Sequence, residues 1–195
     1  MTKRRRLYYR LGWRALRRVV GRADITADGY KQLARDLAVA MVRNQITTQR
    51  RALMFIAQTA HESGGYRWRE EIATGAAYEG RRDLGNSRPG DGRRFKGRTY
   101  IQITGRSNYT AVSNALGVDF LGNPELLSRP VYAAMGAAWW WRSHGCNEIA
   151  DTGDFLAVTR RVNGGTNGLA DRRAYYARAR KPWNRLMLTP KRRTR

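Results

Sequence analysis

Thr47-Thr-Gln-Arg-Arg-Ala-Leu-Met-Phe-Ile-Ala-Gln-Thr-Ala-His-Glu-Ser-Gly-Gly65 is the stretch whose reading decides how this chain is built. Thr47 or Thr48 offers an N-cap, Leu53, Ile56, Ala57 and Ala60 recur at helical spacing, and Gly64-Gly65 supplies the stop. A helix therefore ends at His61-Glu62, placing a histidine and a carboxyl in its last turn. Upstream, Leu33, Leu37, Ala40 and Met41 space a second helix beginning near Asp28. Downstream, six glycines between Gly75 and Gly97, with Pro89 and many charges, predict loops around a short hairpin. Tyr100-Ile-Gln-Ile-Thr104 then alternates, and as a strand it would turn Ile101 and Ile103 inward and set Gln102 and Thr104 together on the other face. Helices are predicted over Ser107–Leu116, Val131–His144, Asp154–Asn163 and Leu169–Lys181. The fold is mainly α with one small β element.

The chain has 195 residues, enough for one domain with short appendages. Hydrophobic residues make up 42% of it, too many for a disordered chain, yet no run approaches the roughly 18 apolar residues of a membrane span. The formal net charge of +23 is concentrated at the ends: residues 1–22 carry +9, residues 171–195 carry +9 and residues 23–170 only +5. We therefore divide the chain into a basic extension (1–23), a core domain (24–183) and a basic tail (184–195). Projected as a helix, Lys3 to Val20 gathers Arg10, Arg14, Arg17 and Arg18 on one side and Leu11, Ala15, Leu16 and Val19 on the other. Such a helix suits an anionic envelope surface of lipopolysaccharide or phospholipid, with nucleic acid the less favoured partner; it equally suits docking on the core through its apolar face. Arginines interrupt every candidate apolar core of a signal peptide.

Several chemistries are excluded. His61-Glu62 would need a second histidine at position 65 for a zinc protease, and Gly65 stands there. Gly92 to Thr99 has the spacing of a phosphate loop but Arg98 in place of its lysine. With only His61, His144 and Cys146 there are too few ligands for a Cys/His zinc site, and neither a metal nor a cofactor is expected. A carboxyl pair remains, Glu62 and Glu71, nine residues apart across the glycine turn. The helix C-terminus and apolar flanks would disfavour the Glu62 anion, whereas arginines near Glu71 would favour ionisation. Two carboxyls in unlike environments are what glycoside hydrolysis requires.

The blocks Phe55 to Tyr66, Arg69-Glu-Glu-Ile72, Tyr78 to Asn86, Pro89-Gly-Asp-Gly92, Lys96-Gly-Arg98, Ile101-Gln-Ile-Thr-Gly-Arg-Ser-Asn-Tyr109, Val162-Asn-Gly-Gly165 and Asp171-Arg172 together resemble glycoside hydrolase family 19 in its short phage-endolysin form. That resemblance implies a lysozyme-like α+β fold with a small β element beside the catalytic cleft. It implies Glu62 as general acid, Glu71 as general base and Thr104 as the residue holding the attacking water. Gln102, Asn108, Asn163 and Arg172 would line the cleft or support the carboxylates, and the mechanism would be inverting. Glu70 competes with Glu71 for the role of base; the spacing from Glu62 favours Glu71. Trp68 and Tyr78 are the better sugar-stacking candidates, since Trp139-Trp140-Trp141 cannot all face one way. The family's usual Gly-Arg-Gly is Gly97-Arg98-Thr99 here, so a side chain is expected to alter substrate fit.

The function expected is that of a monomeric peptidoglycan glycosidase cutting β-1,4 bonds, held to an anionic envelope by its basic ends. Its alternatives are a chitinase acting on neutral polymer and a cationic membrane- or nucleic-acid-binding protein on a hydrolase-like scaffold. Synthesis in the host cytoplasm would be followed by release through a holin-type pore to the periplasm, or by carriage in a virion.

Overall fold

The structure is a computed structural model and describes residues 10–182 and 187–188. Its helices are α1 (Trp13–Val20), α2 (Ala27–Arg43), α3 (Gln49–Glu62), α4 (Asp91–Arg94), α5 (Arg106–Leu116), α6 (Pro130–Ser143), α7 (Cys146–Thr152), α8 (Phe155–Asn163) and α9 (Leu169–Arg180). Helix α3 is the axis of the core. Every residue from Ala52 to Ala60 is buried, because α6, α7, α8 and α9 cover it from several sides. Thr48 caps it by accepting from the Arg51 N–H at 3.3 Å. At its other end Ser63 is the cap, and three successive left-handed residues, Gly64, Gly65 and Tyr66, turn the chain sharply away. The run Ala133 to Ala138 in α6 is buried throughout, and its four alanines and Gly136 let neighbouring elements, α2 among them, pack closely against it.

Four predicted helices fall within a residue or so of their expected bounds, and Asp154 proves to be the cap of α8, accepting from Ala157 N–H at 2.9 Å. Between the predicted helices ending at His144 and starting at Asp154 the structure adds α7, whose seven residues lie between two left-handed glycines, Gly145 and Gly153. Two expectations are corrected. The N-terminal helix does not run through from Lys3: Arg10–Leu11 forms a two-residue strand, β1, antiparallel to β2 (Met187–Leu188), and the helix begins only at Trp13. Extended Gly12 separates the two, while residues 1–9 lie outside the described ones. Ala15, Leu16, Val19 and Val20 enter the common core against α2 and α9, leaving Arg14, Arg17 and Arg18 exposed. Of the basic tail (184–195), only Met187 and Leu188 are among the described residues.

The second correction concerns residues 100–104, which are not a strand. Thr99 and Gln102 adopt positive φ (79° and 59°), so the segment is a turn closed by reciprocal backbone hydrogen bonds between Arg98 and Ile103. Ile101 and Ile103 are nonetheless buried. Alternation placed Ile101 and Ile103 correctly but would have turned Tyr100 outward, and Tyr100 is buried as well; the backbone reaches this arrangement through left-handed residues instead of pleating.

Candidate active site

The end of α3 and the loops after it form an open groove of about 390 Å³ lined by Glu62, Trp68, Glu70, Glu71, Tyr78, Gln102 and Thr104. The two carboxyls singled out in the sequence thus share one space.

Glu62 is positioned by helix packing. Arg172, in the first turn of α9, is 1% exposed and its guanidinium reaches three ways: to Glu62 Oε1, to Gln58 Oε1 at 2.5 Å and to the Asn167 carbonyl at 3.1 Å. Gln58 in turn donates to Thr159 Oγ1 at 2.9 Å, tying α8 into the same network. One residue back on each helix, His61 Nδ1 meets Asp171 Oδ2 at 2.7 Å. Two neighbouring pairs of opposite polarity therefore lock the end of α3 to the start of α9. Glu62 is consequently not in the apolar surroundings expected for it: a buried cation holds one of its oxygens, and Oε2 has no hydrogen-bond partner among the described residues.

Glu71 is positioned by loops. Its Oε1 accepts from the Tyr78 hydroxyl at 3.0 Å and its Oε2 from the Gly97 N–H at 3.1 Å. Its own N–H donates to Gly97 O at 2.9 Å, and Lys96 Nζ donates to its carbonyl at 2.9 Å. The arginine contact expected for Glu71 goes instead to Glu70, which pairs with Lys96 at 2.7 Å and with Arg98 at 3.1 Å. Partial burial opposes the Glu70 anion, but Lys96 and Arg98 outweigh it and hold that carboxyl below its ordinary range. Two cations occupy Glu70; neutral donors hold Glu71 and leave each of its oxygens a free lone pair.

Gly97 forms the floor. A Cβ there would lie 2.6 Å from Gln102 Oε1, 3.2 Å from Glu71 Oε2 and 3.3 Å from Thr104 Oγ1. These three oxygens converge over a residue that the sequence marked only as part of the Lys96-Gly-Arg98 block. Thr104 Oγ1 donates to Gln102 O at 3.0 Å and keeps its lone pairs available, while Gln102 Oε1 is buried without a protein partner among the described residues. Asn108 and Asn163 act from behind the groove. Asn108 Nδ2 donates to Thr104 O at 2.7 Å, and Asn163 Nδ2 donates at 3.3 Å to the Asn167 carbonyl that also receives Arg172. Trp68 stands at the rim, 41% exposed, with the Arg67 guanidinium 4.7 Å above its ring. Tyr78 lines the groove through a hydroxyl committed to Glu71, which makes it a support for the carboxylate more than a stacking face. Cys146 is buried, and burial pushes its thiol up to about 12, so it is no nucleophile. Among the described residues, no group of His, Cys, Asp and Glu is arranged to hold a metal ion.

A family model described as Chitinase class I, of glycoside hydrolase family 19, matches residues 11–152. The chain belongs to glycoside hydrolase family 19. A Haemophilus influenzae protein described as a glycosyl hydrolase family 19 domain-containing protein is 32% identical over 159 residues, covering 63% of this chain and 75% of its own. An Arabidopsis thaliana endochitinase is 36% identical over 118 residues, and the chain spans only 40% of that protein. Among solved structures, chitinase C from Streptomyces griseus superposes with a TM-score of 0.68 at 25% identity, over 87% of this chain and 75% of its own.

Within the family 19 pattern, the departure at Thr99 does not fall on the substrate side. Thr99 is fully buried, its Oγ1 accepts from Ile101 N–H at 3.3 Å, and its methyl fills the space over Gly136, where a Cβ would lie 2.8 Å away. The side chain is accommodated by a glycine on α6, which corrects the expectation of altered sugar fit.

Proposed function

We propose that this family 19 glycoside hydrolase cleaves the β-1,4-linked glycan of bacterial peptidoglycan, with Glu62 as general acid and Glu71 as general base. The observation that carries the acid/base reading is that both carboxyls open on one groove while being held by different kinds of donor. Arg172 fixes Glu62 Oε1, which leaves Oε2 as the oxygen that carries a proton to the glycosidic oxygen. Glu71, oriented by Tyr78 and Gly97, accepts a proton from water that also donates to Thr104 Oγ1. Attack from the face opposite the leaving group inverts the anomeric centre, a geometry that needs the carboxyls roughly 6.5–9.5 Å apart. Trp68 offers an aromatic face to a sugar ring at the rim.

The charge supports the wall as substrate. A neutral N-acetylglucosamine polymer has no use for a net charge of +23, whereas wall glycans carry carboxylates that such a charge attracts. The exposed Arg14, Arg17 and Arg18 face of α1 would add to that attraction at an anionic envelope. Chitin is the competing substrate, favoured by the chitinase names of the relatives. Digestion of purified peptidoglycan and of chitin, with mass spectrometry of the new reducing ends, decides between them. Muropeptides with new reducing termini are expected from the wild type, none from Glu62→Gln and a severely reduced yield from Glu71→Gln. Product from chitin alone would assign the neutral polymer, and wall digestion by both variants at the wild-type rate would remove the carboxyl pair from the chemistry.

A further inference from the structure

The three consecutive tryptophans end in three different places. Trp141 is buried, its Nε1 donating to Asn147 Oδ1 at 2.9 Å, and Trp140 stacks on His144 with ring centroids 3.8 Å apart. Trp139 alone lines a recess of about 680 Å³, away from the catalytic groove. Tyr132 faces the same recess and is fixed from behind by an edge-on contact with Phe120 at 5.3 Å. Met135 and Leu116 contribute apolar surface. Two cations complete the lining: Arg43 at the end of α2 and Arg142 near the end of α6, both exposed and neither with an acidic partner among the described residues. Elsewhere several arginines that line the structure's loops and helix ends are neutralised, as with Arg51–Asp151, Arg98–Glu70, Arg106–Asp91 and Arg172–Glu62. The recess is tied to the groove by α5, whose Asn108 holds Thr104 and whose Ala115 and Leu116 line the recess roughly 10 Å further along the helix.

We infer that this recess is a second, non-catalytic site for the wall glycan, taking a sugar ring against Trp139 and Tyr132 and a carboxylate of the muramyl or peptide moiety between Arg43 and Arg142. Aromatic faces suit the apolar face of a pyranose, and guanidinium groups without an internal anion suit a planar carboxylate. A neutral chitin chain would leave both arginines unsatisfied. Binding at this distance from the groove raises the residence time of the enzyme on an insoluble polymer without touching the chemical step. The inference rests on the wall-glycan reading above.

The experiment measures binding of Glu62→Gln protein to purified, insoluble peptidoglycan by sedimentation, with Trp139→Ala or the pair Arg43→Gln/Arg142→Gln added. Each is expected to raise Kd about tenfold, and in the otherwise wild-type enzyme to leave kcat/KM on a short soluble glycan within twofold. The arginine pair is on the surface, so it carries the test if Trp139→Ala fails to fold. A rise of less than threefold with the arginine pair overturns the inference. So does equal weakening on chitin beads, which would mean the recess reads neutral sugar, and so does weakening seen only on anionic phospholipid vesicles, which would make it a lipid site. Reducing-end release by the wild type reports separately on the wall-glycan reading, because that signal does not depend on the recess.

Discussion

The two walls of the groove are built on different principles. Glu62 is held by a residue 110 positions away, through a buried guanidinium that joins α3 to α9 and, by way of Gln58, to α8. Glu71 is held by a hydroxyl 7 positions away and a backbone N–H 26 positions away, within one loop system. One carboxyl is set by the packing of the whole domain, the other by local turns. A change on the helical wall should therefore cost stability and activity together, and a change on the loop wall should cost activity with little effect on stability.

Arg172→Met is the strongest way to break that contrast. Removing the cation leaves buried Gln58 and Glu62 without their shared donor, and breaking a buried pair from one side costs about 3–5 kcal/mol, a figure reduced here because the Glu62 side chain is 22% exposed to the groove. Urea unfolding should show that loss, accompanied by a fall of at least about a hundredfold in glycan hydrolysis, since a misplaced catalytic group costs on that order. Full activity in a destabilised variant would mean that Glu62 does not depend on Arg172 for its orientation.

Gly97→Ala tests the loop wall. The backbone conformation at position 97 admits alanine, but its Cβ would press on Gln102 Oε1 and crowd Glu71 Oε2 and Thr104 Oγ1. Gln102 Oε1 has no partner to lose, so the side chain can yield at small cost in stability. Activity should drop between about 10- and 100-fold while the unfolding free energy changes by no more than about 1 kcal/mol. Loss of both in parallel would erase the distinction between the walls. Tyr78→Phe is the milder version. It deletes one hydrogen bond to a charged oxygen, worth about 1.5 kcal/mol, and should lower kcat about tenfold with the Gly97 contact still in place.

What could be read from residue order follows the same divide. The helix end that carries Glu62 and the company of Gln102 with Thr104 were legible, because helix caps, glycine stops and alternation are local signals, whereas the choice of Glu71 as partner rested on the resemblance to family 19. The conformation of 99–104 was not: left-handed Thr99 and Gln102 are residue types that give no warning of positive φ, and the space that admits Thr99 comes from Gly136 on another helix. The surroundings of Glu62 were misjudged for a related reason. A helix C-terminus with apolar neighbours reads as a site that disfavours a carboxylate, and no local signal near position 62 announces a guanidinium arriving from position 172, a support that only the family resemblance implied. Gly97 was visible as part of a block, but its role as a floor appears only when three oxygens are seen to converge on it.

The smallest effect sharpens the comparison from outside the groove. Near its other end, α3 carries a second arginine–carboxylate pair: Arg51 Nε meets Asp151 Oδ1 of α7 at 2.9 Å, with the second guanidinium nitrogen on Oδ2. The chemistry matches that of Arg172 and Glu62, but the Asp151 side chain is 43% exposed, so water screens the attraction. Its hydrogen bonds to Arg51 hold the Asp151 carboxyl below its ordinary value of 3.8. A depressed carboxyl stabilises the fold at pH values above that ordinary value, and the contribution is lost as pH falls through the lower, folded-state value. Asp151→Asn should therefore cost no more than about 1 kcal/mol near neutrality, and its stability curve should converge with that of the wild type as the pH drops below 3.8. Urea midpoints measured from pH 6 down to strong acid would show the convergence. A gap that persists in acid would mean that Asp151 acts by packing and not by charge. Because this end of α3 does not line the proposed groove, activity should be unchanged, which separates the pinning of the helix from the aiming of Glu62.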